Sequence, residues 1–282
     1  MPRAVAPRTG RVPMLTAPHH LIEATRGQQV FARHYTGAED LAPLLLIHGL
    51  GESGLCFEEI VGHPLLALRP RLVPDLPGYG RSPWPERALP LSEQVELLAA
   101  WIAEHCSRPP ILVGHSMGGV IGQLLAEAHP ESVAALVDVD GNLCSEDCTF
   151  SGRAVASDFD LFVDRNFRRL LERVYEDGLQ QPALRGYYAS LRLAQPETYY
   201  LNSRELVELS ASGKLARRLA ALEMPVLYIA GSPGGASEES VAQLARAGVR
   251  RVKIAPSGHW PFIDQPADFA EVLAAFLAEV GL

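Results

Sequence analysis

The sequence predicts an α/β fold, and three observations predict it. Short apolar runs alternate with amphipathic stretches of helical spacing in the first half and the last quarter of the chain. Each apolar run closes on turn residues. Between 141 and 212 the strand signals stop and a helical pattern takes over. Together these describe a largely parallel sheet covered by helices, with one helical insertion.

In chain order, residues 1–20 carry Arg3, Arg8 and Arg11 among prolines and lack the continuous apolar run of a secretory leader, so they read as a flexible tail and favour a cytoplasmic address. A hairpin is expected over 20–25 and 28–35 around Gly27. Strands follow at 43–47, 71–74, 111–114 and 133–139, and two more at 226–230 and 250–255. A core is therefore expected over 21–140 and 213–282, and a helical cap over 141–212. Within the cap, Phe159, Phe162, Val163, Leu170, Leu171 and Val174 fall on one helical stripe. The pairs Tyr187, Tyr188 and Tyr199, Tyr200 either line a pocket or pack the cap onto the sheet. Amphipathic helices are expected at 214–222 and 268–280, the latter burying Phe269, Val272, Leu273 and Phe276.

Composition narrows the function. The 282 residues are 48% hydrophobic and 21% charged, a globular balance, and nothing approaches the eighteen apolar residues of a membrane span. The formal charge of −8 would repel a polyphosphate, so nucleic acid is not an expected partner. Four cysteines, Cys56, Cys106, Cys144 and Cys148, lack any zinc spacing and read as ordinary thiols. The oligomeric state stays open.

The chemistry is written most clearly at 111–118, ILVGHSMG, an apolar strand, then G-x-S-x-G at Gly114, Ser116 and Gly118, then a helical run. Such an elbow lifts a serine hydroxyl out of the sheet edge, and small flanking residues let strand and helix approach. The Met117 N–H, at the positive end of the helix, can point at a developing oxyanion. The segment 44–51, LLLIHGLG, offers Leu50 N–H as the second donor, with His48 as a structural hydrogen-bonding residue. The turn at 75–82, DLPGYGRS, is expected to shape an entrance loop.

With HGLG at 48–51, DLPGYGRS at 75–82, GHSMGG at 114–119 and SGHWPFIDQP at 257–266, the chain resembles the α/β-hydrolase superfamily over nearly everything after the tail. The resemblance implies the α/β-hydrolase fold: an eight-stranded, mostly parallel sheet, a cap inserted after the sixth strand, and a triad in the order nucleophile, acid, histidine. It puts the base at His259, after the last strand. An imidazole is needed there because a serine hydroxyl is a weak nucleophile at neutral pH. His115, beside the nucleophile, is expected to be structural.

The acid departs from the commonest pattern of that superfamily. The turn after the seventh strand reads Gly231-Ser232-Pro233-Gly234-Gly235 and holds no aspartate. Glu238 and Glu239 are the nearest carboxylates, at a helix start where acids commonly complement the dipole. The other location seen in the superfamily is the end of the sixth strand, here VDVDGN, which makes Asp140 the preferred acid; Asp138, two residues earlier, points the same way but lies below the rim.

The expected function is a serine hydrolase cleaving an ester, lactone or thioester of a small apolar substrate through an acyl-enzyme, with no metal or organic cofactor. A carboxylate-nucleophile reaction is disfavoured by serine at 116. The same triad also supports acyl transfer, cyclisation or lyase chemistry, or a slow-turnover small-molecule receptor. Phe159, Phe162, Tyr187, Tyr188, Tyr199, Trp260 and Phe262 are available to bind a medium-sized apolar or aromatic acyl group. Arg81, Arg153 and Arg185 read as solvated surface charges, and Cys144 and Cys148 as neighbours of the site without a part in it.

Overall fold

A computed structural model describes residues 19–282. The expected tail over 1–20 lies almost wholly outside the described residues; His19 and His20 already belong to the first strand. Eight strands form one sheet in the order β1-β2-β4-β3-β5-β6-β7-β8. They are β1 (His19–Thr25), β2 (Gln28–Tyr35), β3 (Leu44–Ile47), β4 (Arg71–Pro74), β5 (Ile111–His115), β6 (Ala135–Val139), β7 (Val226–Pro233) and β8 (Arg251–Ser257). The β1–β2 and β2–β4 pairs are antiparallel, and all others are parallel.

The sequence accounts for which strands are central. Every residue of β3, β5 and β6 is buried, as expected of uninterrupted apolar runs covered on both faces. The flanking β1 and β8 are largely exposed along their length. Helices Leu91–His105 and Met117–Ala128 pack on each other and on the sheet. The helix after β5 comes unusually close to β3: a Cβ on Gly118 would stand 2.1 Å from the Ile47 carbonyl oxygen, so only glycine fits there. Parallel pairing brings the carboxyl ends of β3, β5, β6, β7 and β8 to one rim, where open α/β sheets place their sites.

Helices Thr149–Val155, Phe167–Asp177, Pro182–Leu191, Pro196–Ala211 and Leu215–Ala220 fill the interval between β6 and β7. Phe162, Phe167 and Tyr199 pack together here, their rings 5.7 to 5.9 Å apart, and with Leu170, Val174 and Leu206 they are continuous with the core of the sheet. The DLPGYGRS loop is their seat rather than a free entrance loop. Gly78 accepts the Gln195 N–H at 2.8 Å, and Tyr79 Oη donates to Asn202 Oδ1 at 2.9 Å. Inside the loop, buried Asp75 accepts from Arg33 at 2.8 Å and from the amides of Gly54 and Arg81. No helix among the described residues is long and apolar enough to cross a membrane.

Candidate active site

Ser116 is the hinge between β5 and the helix Met117–Ala128, with φ 52° and ψ −117°. A non-glycine residue in this region is strained, and the strain is held by the buried strand on one side and the helix on the other. Its amide donates to the Val139 carbonyl at 2.9 Å, which ties the turn to β6. Met117 opens the helix, so its N–H has no intrahelical acceptor.

Ser116 and His259 line one cavity of about 20 Å³, together with Leu50, Glu52, Asn142, Asp147, Phe150, Tyr187 and Trp260. That is room for about one water molecule. It is narrower than the medium-sized acyl group expected from the aromatic content. Phe150 and Tyr187 line it with their rings tilted and centroids 5.0 Å apart, and Tyr187 meets Trp260 at 5.9 Å. On its far side His259 borders a second cleft of about 620 Å³, shared with Asp140, Arg153, Asp264 and Trp260.

Asp140 does not continue β6. The strand ends at Val139, and Asp140 turns into the left-handed region with φ 48°. Its carboxylate is buried and accepts the Ala236 N–H at 2.8 Å and the Gly231 N–H at 3.1 Å. Oδ2 lies 3.9 Å from Nδ1 of His259. Burial pushes the Asp140 carboxyl up to about 7, against the pull of the Ala236 and Gly231 amides. The turn that lacks an aspartate thus supplies the amides that hold one. A Cβ on Gly235 would stand 2.5 Å from Oδ2 of Asp140, so the glycines also make its space.

The other carboxylates sort differently. Glu238 is exposed on the helix Glu238–Ala247, and Glu239 accepts from Arg246 at 2.7 Å and Gln243 at 3.1 Å. Neither lines the cavity or the cleft. Asp138 lies under the following turn and accepts the Gly141 N–H at 3.0 Å. Of the aromatic candidates, Tyr187 and Trp260 reach the cavity, and Tyr199 packs beneath it with its hydroxyl 3.3 Å from that of Tyr187. Phe159 is 44% exposed and meets Tyr200, Phe162 is buried in the helical insertion, Tyr188 packs on Tyr175, and Phe262 sits in the core between Phe57 and Phe269. Those four do not line it.

His48 accepts the Leu76 N–H on Nε2 at 3.0 Å and donates from Nδ1 to the Gly49 carbonyl at 2.9 Å, which assigns a neutral tautomer. Glu52 escaped the sequence reading. It lies wholly buried on the cavity wall and accepts from Gly49 N–H, Trp260 Nε1–H and His115. The available signal was a carboxylate following two glycines at a strand end, where charge without a partner is not tolerated. Among the described residues, no group of three or more His, Cys, Asp or Glu side chains could hold a metal ion.

A strained serine between strand and helix, at the carboxyl rim of an eight-stranded sheet and sharing a cavity with a histidine, defines the class. The chain belongs to the alpha/beta hydrolase family, whose model matches residues 44–272. A pimeloyl-[acyl-carrier protein] methyl ester esterase of Aeromonas hydrophila is 30% identical over 249 residues, covering 83% of this chain and 94% of that protein. Lipase LipV of Mycobacterium tuberculosis is 41% identical over 106 residues, 37% of this chain, and this chain spans only 39% of that protein's length. Among solved structures, an esterase from Thermogutta terrifontis superposes with a TM-score of 0.74 at 21% identity over 94% of this chain and 99% of that one, a likeness of fold.

Proposed function

We propose that this chain hydrolyses an ester-like bond, an ester, lactone or thioester, of a small molecule through an acyl-enzyme on Ser116. The observation that carries the reading is the strained Ser116 turn opening into the cavity that His259 also lines, with the buried Asp140 behind the imidazole. Esterases among the relatives support the same reaction class.

In this reading His259 takes the hydroxyl proton as Ser116 Oγ attacks the carbonyl, and the amides of Leu50 and Met117 receive the oxyanion. Collapse of the tetrahedral intermediate returns that proton to the leaving alcohol or thiol. Water, deprotonated by the same imidazole, then attacks the acyl-serine and releases the acid. Asp140 accepts the other ring N–H and stabilises the imidazolium. Its 3.9 Å separation is longer than a hydrogen bond, and contacts of this kind tighten when substrate is bound.

Residues 141–212 act as the cap, with Tyr187 and Phe150 over the serine. The narrow cavity favours a short acyl group. A cytoplasmic setting fits the four free thiols. The test is labelling of Ser116 by a fluorophosphonate, followed by turnover of p-nitrophenyl esters. Ser116→Ala should lower kcat by about 10⁴ to 10⁶. Labelling without turnover would favour transfer chemistry or sensing over hydrolysis.

A further inference from the structure

We propose that His115 is a positioning residue for His259 that is positively charged at neutral pH, kept as an imidazolium by Glu52 and needed to hold the base neutral and in place. The proposal rests on the reading of His259 as the general base.

The charge follows from the hydrogen bonds. Nε2 of His115 lies 2.8 Å from the carbonyl oxygen of His259, an atom that can only accept, so Nε2 carries a proton. Nδ1 lies 2.9 Å from Oε2 of Glu52. That carboxylate also accepts from other donors, the Gly49 N–H on Oε2 at 2.6 Å and the Trp260 indole N–H on Oε1. Donors on both of its oxygens favour the anionic form, because each of these hydrogen bonds is stronger to a carboxylate than to a carboxylic acid. The proton between the two residues therefore sits on Nδ1, and the pair is an imidazolium and a carboxylate, both fully buried. Burial pushes the Glu52 carboxyl up, but the charge and hydrogen bond of His115, with those from Trp260 and Gly49, bring it down to about 2. Burial likewise opposes the His115 charge, and Glu52 overrides it.

Two consequences reach the base. Mechanically, consecutive residues of one segment are tied to the same pair, His259 through its carbonyl and Trp260 through its indole. Electrically, the positive end faces His259, with ring centroids 4.7 Å apart. His259 is also faced by Asp140, by Glu52 and Asp147 on the cavity wall, whose charges oppose that of His115 more weakly, and by Asp264, which accepts the Gly258 N–H at 2.7 Å. His115 is faced by Glu52, His259, Asp138 and Asp140. A cation there disfavours a proton on His259 and favours the anion of Asp140, so both members of the working pair lose protons more easily.

The imidazole ¹⁵N spectrum of the wild-type protein tests the charge directly. Both His115 nitrogens should remain protonated at pH 7.5, and a neutral ring overturns the proposal. His115→Gln should move the acid limb of kcat/KM to higher pH by about one unit. Glu52→Gln should move it the same way, because a buried imidazolium without its anion gives up its proton. The double variant should move it no further. A folded His115→Gln enzyme, or a folded double variant where the single one is unstable, with an unmoved limb also overturns the proposal. Full turnover retained in Ser116→Ala would instead remove the hydrolase reading itself, independently of the ¹⁵N result.

Discussion

Oδ2 of Asp140 stands 3.9 Å from Nδ1 of His259, and the carboxylate is held there by main-chain amides at the end of β7 and in the loop that follows it. A buried carboxylate fixed by Gly231 and Ala236 can orient an imidazole without a side-chain partner of its own.

Asp140→Asn keeps the shape but removes the charge that, in the proposed mechanism, stabilises the imidazolium. We expect kcat to fall by about 10³ to 10⁴ with the fold intact. The Glu238→Gln, Glu239→Gln double variant should stay within about twofold of wild type, because these side chains lie on the helix surface. Steady-state kinetics on p-nitrophenyl acetate decide it, and the reverse ranking would move the acid role to the glutamates.

The pH dependence follows from the same pair. Burial raises the Asp140 carboxyl to about 7, while burial and the His115 charge lower the His259 imidazole to about 3. The two groups titrate as one unit, and kcat/KM should decline as pH falls through about 7. In Asp140→Asn this limb should shift to lower pH. A wild-type profile flat from pH 8 to pH 5 would contradict the assignment.

Gly235→Ala is a steric test of the carboxylate's seat. The added Cβ would sit 2.5 Å from both Oδ2 of Asp140 and the Gly231 carbonyl oxygen, so the carboxylate or the loop must move. We expect about 1–3 kcal/mol of destabilisation in thermal unfolding and a fall in kcat larger than the change in KM. Unchanged kcat would mean that the position of Asp140 is not critical.

Glu52 makes a prediction about acid stability. Its carboxyl is depressed from an ordinary 4.5 to about 2, so its contribution is present above pH 4.5 and is lost as pH falls toward 2. That loss should amount to about 3 kcal/mol in denaturant unfolding. His115 is raised from 6.5, so its contribution is present below that value and is lost as pH rises through the higher folded one. The pair therefore stabilises most between pH 4.5 and 6.5. Glu52→Gln should erase the slope on the acid side, and a slope that survives would assign it to other carboxylates.

We expect Tyr187 to set the acyl length. It roofs the cavity between Phe150 and Trp260. Tyr187→Ala should raise the hexanoyl-to-acetyl ratio of kcat/KM by about tenfold or more, as expected for apolar contacts in a pocket. An unchanged ratio would place the acyl chain elsewhere, with the 620 Å³ cleft beyond His259 as the next place to look.

The residues themselves determined the sheet, the elbow and the family. Uninterrupted apolar runs such as LLLI and ILVGH have one low-energy fate, a strand covered on both faces, and G-x-S-x-G between strand and helix is a local demand on backbone geometry. Tertiary structure alone decided which polar side chains share a burial site. Glu52, His115 and Trp260 are 63 or more positions apart, or separated by most of the chain, and a buried charge finds its partner through space. The same holds for the pocket: Tyr187 and Phe162 carry similar rings in the same insertion, yet packing turns one toward the cavity of Ser116 and buries the other against Phe167 and Tyr199. Hydrophobic periodicity specifies which face is buried; what that face is buried against depends on where neighbouring elements come to rest.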